Sequence, residues 1–175
     1  RGLGDVYKRQ YMIRGGMLDG VDCAVMVHPF SYDLVSHVWV GRRTLTATFT
    51  GVPAHASMQP YMGRNALDAA TLAYQACGLL RQQMPPSDRL HAVLSDGGAR
   101  ASIIPETATL QMYVRSLYTE TLMDLSQRVE DILKGAALMT GTTVDAQWDE
   151  HPMSLPVRNN ATPVSYTHLT LPTNR

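Results

Sequence analysis

His55 stands in the segment Gly51-Val-Pro-Ala-His-Ala-Ser-Met-Gln-Pro60, between an alternating apolar stretch and an alanine-rich one. An imidazole there could move a proton near neutral pH. A lone loop histidine is more often a surface residue than a catalytic one, so its type leaves both open. His28 closes the apolar run Cys23-Ala-Val-Met-Val27 and precedes Pro29. The carboxyl end of a buried strand is where open α/β sheets usually place their chemistry. Arg115 closes a third apolar alternation, a place where arginines are commonly solvated, although a planar guanidinium also suits a carboxylate. His37, His91 and His151 fit no motif, but His91 lies on a predicted strand and could face a substrate.

The elements that must position these residues follow from periodicity. Residues 11–18 read as the end of a helix stopping at Gly20, and Cys23 to Val27 as a buried strand. Val38, Val40, Leu45, Ala47 and Phe49 alternate along a strand ending at Thr50, with a break expected near Gly41 to Arg43. Asn65 to Gln82 predicts a helix whose apolar face is Ala66, Ala69, Ala70, Ala73, Ala76, Leu79 and Leu80, ended by Met84-Pro-Pro86. Leu90 to Leu94 and Ala108 to Val114 predict two neighbouring strands around an Asp96-Gly-Gly98 turn. A second helix runs from Thr119, a candidate N-cap, to Met139, burying Leu122, Leu125, Val129, Ile132, Leu133 and Ala136. Gly141 caps it, and Thr142 to Trp148 predicts a last strand. From Val38 the order is βαββαβ, the α+β ferredoxin-like pattern with two helices on one face of an antiparallel sheet.

Composition narrows the classes. Lys and Arg number 15 against 15 Asp and Glu, so no excess of positive charge awaits a polyanion, and nucleic acid is not an expected partner. Apolar runs fall short of the ~20 residues of a membrane span. Cys23 and Cys77 sit in apolar stretches rather than at CxxC spacing, which reads as reduced core thiols and a cytoplasmic location. The ends, residues 1–10 and 165–175, look like translated sequencing adapter and are expected to be non-native tails.

Gly51-x-x-Ala-His-Ala-Ser, then Pro60, then Gly63-x-Asn65-Ala resembles the hallmark of the inserted dimerisation (lid) domain of metallopeptidase family 20. That family includes aminoacylases and carboxypeptidase G-type amidohydrolases. The branch most resembled is that of the aminobenzoyl-glutamate hydrolase subunit and β-alanyl-lysine dipeptidase. The resemblance runs from about Tyr11 to Val164 and includes Leu18-Asp-Gly-Val-Asp22, Leu80-Arg-Gln-Gln-Met84 and the stretch from Gly97-Gly98 to Ile104-Pro105. It implies a catalytic-domain piece at 11–35, a lid at 36–148 and a return linker at 149–164, the flanking pieces belonging to a zinc-peptidase-like α/β domain.

The resemblance also implies roles. His28 corresponds to a metal ligand, and His55 to a histidine that enters the partner subunit's site and stabilises the oxyanion. Arg115 corresponds to an arginine holding the substrate's free carboxylate, with Asn65 and Ser102 also at the substrate. Relatives often carry Asn-x-Ile-Pro where this chain has Ser102-Ile-Ile-Pro105, so a hydroxyl replaces a carboxamide there. The implied enzyme is a homodimer using two divalent metals, zinc or alternatively manganese, to hydrolyse an amide bond in an N-acyl amino acid or dipeptide-like substrate. A His-x-Asp pair, a bridging carboxylate, a Glu-Glu pair and a final histidine are not found here, so the chain alone is expected to be inactive and to hold metal weakly. The competing reading is a non-catalytic dimerisation or small-molecule-binding module, since fold does not fix function.

Overall fold

The computed structural model describes residues 11–22, 31–32 and 40–149. The chain divides into two compact units, Arg1–Val38 with Arg158–Arg175, and Trp39–Val157. In the first unit, residues 11–14 form a helical turn. It ends earlier than its periodicity predicts, because Gly16 takes a left-handed φ of 85° and Met17 N–H reaches back to the Met12 carbonyl at 3.0 Å. That closure is a Schellman cap, which glycine enters without a Cβ penalty. The expected strand at Cys23 to Val27 lies outside the described residues.

The second unit is built on one antiparallel sheet. Its elements are β1 (Gly41–Thr50), β2 (Ala54–His55), α1 (Ala66–Leu80), β3 (Arg89–Asp96), β4 (Ile103–Ile104), β5 (Thr107–Ser116), α2 (Thr119–Thr140) and β6 (Thr143–Trp148). The four-stranded order is β3-β5-β1-β6, and β2 pairs with β4 as a separate ribbon. This is the ferredoxin-like arrangement that the alternation predicts. β1 and β5 pair without interruption from Gly41↔Ser116 to Thr50↔Thr107, so the break expected near Gly41 to Arg43 is absent from the paired strand. The irregularity falls instead in β3, between Leu94 and Asp96.

Alternation puts Leu45, Ala47 and Phe49 of β1 with Leu110, Met112 and Val114 of β5 on the buried face, under the helices. Helix α1 contributes Ala66, Ala69, Ala70, Ala73, Cys77 and Leu80, small side chains that permit close approach. Leu79, expected in that face, is 64% exposed, because the 3.6-residue repeat from Ala73 lands on Cys77 and Leu80. Helix α2 buries the predicted Leu122, Leu125, Val129, Leu133 and Ala136, adding Ser126 and Ala137. Its N-cap is Tyr118 rather than Thr119, and no side chain caps it. Gly141 does close it, with φ 66°.

The first and last strands of this unit are neighbours. Leu45 pairs with Trp148, and Asp149 N–H donates to the Thr44 carbonyl at 3.0 Å. The Arg43 guanidinium lies 4.1 Å from the Trp148 ring centroid, and Trp148 Nε1 donates to Glu130 Oε1 at 2.7 Å. The cation–π contact ties the last strand to β1, and the hydrogen bond ties it to α2.

Candidate active site

At one end of the sheet, the chain between β1 and α1 folds into a closed loop. Gly51 N–H donates to the Glu106 carbonyl at 2.7 Å, and Val52 and Arg64 exchange two backbone bonds of 2.9 Å. The loop's glycines are needed for space. A Cβ on Gly51 would stand 1.9 Å from the Arg64 carbonyl oxygen, and one on Gly63 would stand 2.6 Å from Ile104 Cδ1. Asn65 then starts α1, its Oδ1 accepting from Leu67 N at 2.9 Å and Asp68 N at 3.4 Å. This is N-capping, so the Asn65 oxygen already serves the helix.

His55 is exposed on the β2–β4 ribbon, where Ala54 pairs with Ile104 and His55 with Ile103. Its Nδ1 faces the backbone N–H groups of Ser57 and Met58, each at 3.3 Å, and the Ser57 hydroxyl at 3.2 Å. Two N–H donors on Nδ1 make that atom the acceptor, so the neutral ring carries its proton on Nε2. The loop thereby holds a histidine whose outward nitrogen is a hydrogen-bond donor. Around it Val52, Met58, Tyr61, Met62 and Ile103 are exposed large apolar residues. Such a patch suits contact with another surface. Ser102 joins this cluster, its carbonyl accepting from Ala56 N–H at 2.9 Å.

Arg115 is elsewhere. It lies near the far end of β5, and the eight-residue step back to Thr107, beside the His55 loop, spans about 26 Å at roughly 3.3 Å per residue. One chain therefore groups His55, Ser102 and Asn65 but keeps Arg115 apart from them. The Arg115 guanidinium rests over the Tyr113 ring, 4.5 Å from its centroid, and its Nε is buried without a hydrogen-bond partner. Burial, and then the neighbouring Arg42, push its pKa below the ordinary arginine value. His91 is exposed and pairs with Tyr113 across the β3–β5 ladder.

Motif and spacing do not single out Arg42, which is the direct cross-strand partner of Arg115. The alternation of β1 carries that signal, since Arg42 has the parity of the outward threonines Thr44, Thr46 and Thr48. His28, His37 and His151 lie outside the described residues. Among the described residues no group of three or more His, Cys, Asp and Glu could hold a metal ion, so they supply no metal site. No helix among them is long and apolar enough to cross a membrane.

The chain is similar to known proteins in sequence and in fold. The family described as peptidase dimerisation domain matches residues 40–139. The mouse (Mus musculus) Xaa-Arg dipeptidase is 35% identical over 156 residues, covering 89% of this chain and 36% of that protein. A p-aminobenzoyl-glutamate hydrolase subunit of Escherichia coli (strain K12) is 31% identical over 144 residues, covering 81% and 30%. The crystal structure of the aminobenzoyl-glutamate utilization protein from Klebsiella pneumoniae superposes with a TM-score of 0.67 at 24% identity, over 89% of this chain and 40% of that one. The chain spans about a third of the length of these curated relatives.

Proposed function

The chain belongs to the peptidase dimerisation-domain family, metallopeptidase family 20, and from that premise we propose that it is the lid of a metal-dependent amidohydrolase. The reaction is hydrolysis of an amide bond in an N-acyl amino acid or dipeptide-like substrate. The names of the relatives, Xaa-Arg dipeptidase and p-aminobenzoyl-glutamate hydrolase, describe such bonds. Two divalent metals, zinc or manganese, belong to the part of the enzyme that supplies their ligands, with His28 as one contribution from this chain. The free, buried thiol of Cys77 suits a reducing cytoplasm.

The observation that carries this reading is the pair of backbone N–H groups, of Ser57 and Met58, that face His55 Nδ1 at 3.3 Å and leave Nε2 to donate outward. A neutral ring with its proton on Nε2 can donate to the oxygen of a tetrahedral intermediate without itself changing charge. Arg115 holds the substrate's free carboxylate through its two-pronged guanidinium. Ser102 and the Nδ2 of Asn65 border the same substrate from the His55 side.

Because one chain holds His55 and Arg115 at opposite ends of β5, a site using both draws them from two copies. A homodimer joined along β3 satisfies this. β3 is an edge strand with exposed Val93 and Leu94, beside an apolar hollow lined by Ala70, Tyr74 and Ala92. Antiparallel pairing of two such edges about a two-fold axis sets the Arg115 end of one sheet beside the His55 end of the other.

The test is complementation in a chimeric hydrolase that carries residues 40–149 as its lid. His55→Ala and Arg115→Ala should each inactivate it, the first by about 100-fold or more in kcat. Mixed in equal amounts, the two inactive proteins should regain about a quarter of the parental activity, since half the dimers are mixed and each has one intact site. A mixture that stays inactive would refute the two-chain site, and an active His55→Ala enzyme would remove the oxyanion role.

A further inference from the structure

At the end of the sheet that carries Arg115, a carboxyl group is buried under the helices. Asp88 comes just before the first residue of β3 and is 4% exposed. Since Arg89 pairs with Arg115, Asp88 stands beside Ser116, the last residue of β5, which is fully buried. Strand alternation turns Ser116 to the helix face with Val114, and Arg115 to the open face. The Ser116 hydroxyl donates to Asp88 Oδ1 at 2.9 Å and accepts from Tyr118 N–H at 3.4 Å. The Ser87 hydroxyl donates to the same Oδ1 at 3.1 Å. Asp88 is itself held, its N–H donating to the Pro85 carbonyl at 2.9 Å and its carbonyl accepting from Arg89 Nη1 at 2.6 Å. Its Oδ2 is buried without a hydrogen-bond partner. Burying a carboxyl oxygen that way is unfavourable, so what Asp88 contributes here is the pair of bonds to Oδ1 and not its burial.

We infer that Asp88 is a positioning residue for Arg115, acting through the buried hydrogen bond to Ser116 that fixes the end of β5. Ser116 follows Arg115 directly, so whatever fixes Ser116 under the helices fixes the backbone from which the Arg115 side chain leaves on the other face. The bond lies where the β3–β5 ladder ends and no further strand pair holds it closed. A slip of one residue there would turn Arg115 under the helices, and a buried polar pair is the kind of contact that pins a register. A two-pronged guanidinium recognises a carboxylate only when it is held to within about 0.5 Å of the productive geometry. The Tyr113 ring supports the Arg115 guanidinium from one side, and the Asp88–Ser116 bond anchors its backbone from beneath. This inference rests on the reading of Arg115 as the carboxylate holder and adds Asp88 and Ser116 as the residues that keep it in place.

The experiment titrates the 175-residue chain at low ionic strength with N-acetylglycine, and with the neutral N-acetylglycinamide as control, following the Arg115 Nε–H resonance by NMR. The indole Nε1–H of Trp148, bonded to Glu130, reports in the same spectrum that the fold is kept. N-acetylglycine should shift the Arg115 resonance of the parent, and the amide should not. Asp88→Ala and Ser116→Ala should each displace that resonance in the free chain and weaken N-acetylglycine by about five-fold, the worth of one hydrogen bond. The double variant should bind no more weakly than either, because both changes remove the same bond. Asp88→Asn, whose amide oxygen still accepts from Ser116, should bind as the parent does. If Asp88→Ala does not fold, Ser116→Ala, which removes a single oxygen, carries the comparison. Variants with a lowered thermal midpoint but an unmoved Arg115 resonance, and binding within about two-fold of the parent, would overturn the positioning role. Additive losses in the double variant, or an Asp88→Asn chain as weak as Asp88→Ala, would overturn the hydrogen-bond route. A parental Arg115 resonance indifferent to N-acetylglycine would instead overturn the carboxylate reading of Arg115, and this inference with it.

Discussion

Gly51→Ala should unfold the loop that presents His55, because of space rather than backbone torsion. The added methyl would sit 1.9 Å from the Arg64 carbonyl oxygen, about 1.5 Å closer than the 3.4 Å at which ordinary contact begins. Both partners belong to the main chain, so neither can rotate away. Relief requires pulling the Gly51–Val52 strand from Arg64, which breaks the reciprocal Val52–Arg64 hydrogen bonds. Two backbone bonds at about 1 kcal/mol each, with an overpacking cost of roughly 1–3 kcal/mol, give an expected destabilisation of about 3–5 kcal/mol. For a domain of this size that lowers the thermal midpoint by about 12–20 °C, at roughly 4 °C per kcal/mol. The assay is thermal unfolding followed by circular dichroism at 222 nm, with Gly135→Ala as the reference. A Cβ on Gly135 meets nothing within 4 Å, so this substitution within α2 should stabilise by about 0.5–1 kcal/mol. A Gly51→Ala midpoint within about 2 °C of the parent would refute the steric argument.

Two further outcomes are expected. Asn65→Ala removes the acceptor for Leu67 and Asp68 N–H and should cost about 1 kcal/mol in urea unfolding, whereas Asn65→Asp retains the cap. Equal losses for the two variants would remove the capping role. Burial pushes the Cys77 thiol from 9.0 up to about 11, opposed by Arg81. The unfolded thiol ionises first as pH rises, so this contribution to stability is present below pH 9 and is lost between 9 and about 11. Stability measured across that interval should fall more steeply in the parent than in Cys77→Ala, and parallel slopes would contradict it.

The sheet was legible because its inner strands alternate clearly. Leu45, Ala47 and Phe49 of β1 and Leu110, Met112 and Val114 of β5 are buried as their period of two implies. The two-residue strands of the His55 ribbon were not legible, since Ala54–His55 and Ile103–Ile104 are too short to show any period. The alanine face of α1 slips out of phase toward its end, where Cys77 is buried and Leu79 exposed, because Leu79 and Leu80 are equally apolar and only packing distinguishes them. His55 could be singled out by its neighbours, but its tautomer depends on two backbone N–H groups that converge only once the Ser57–Met58 turn forms. The Arg42–Arg115 pair depends on strand register, which arises from contacts between residues 73 positions apart and has no local signature.

That β1 and β6 lie side by side, with Leu45 opposite Trp148 and Asp149 bonded to Thr44, has a consequence for how such a unit spreads between proteins. The chain enters and leaves the unit at neighbouring points, so a host could accept the whole βαββαβ unit at one surface turn with little change to its own backbone path. The Arg43–Trp148–Glu130 contacts seal the junction within the unit and draw on no residue of a host. The unit thereby has the geometry of an insertion, with its first and last strands side by side.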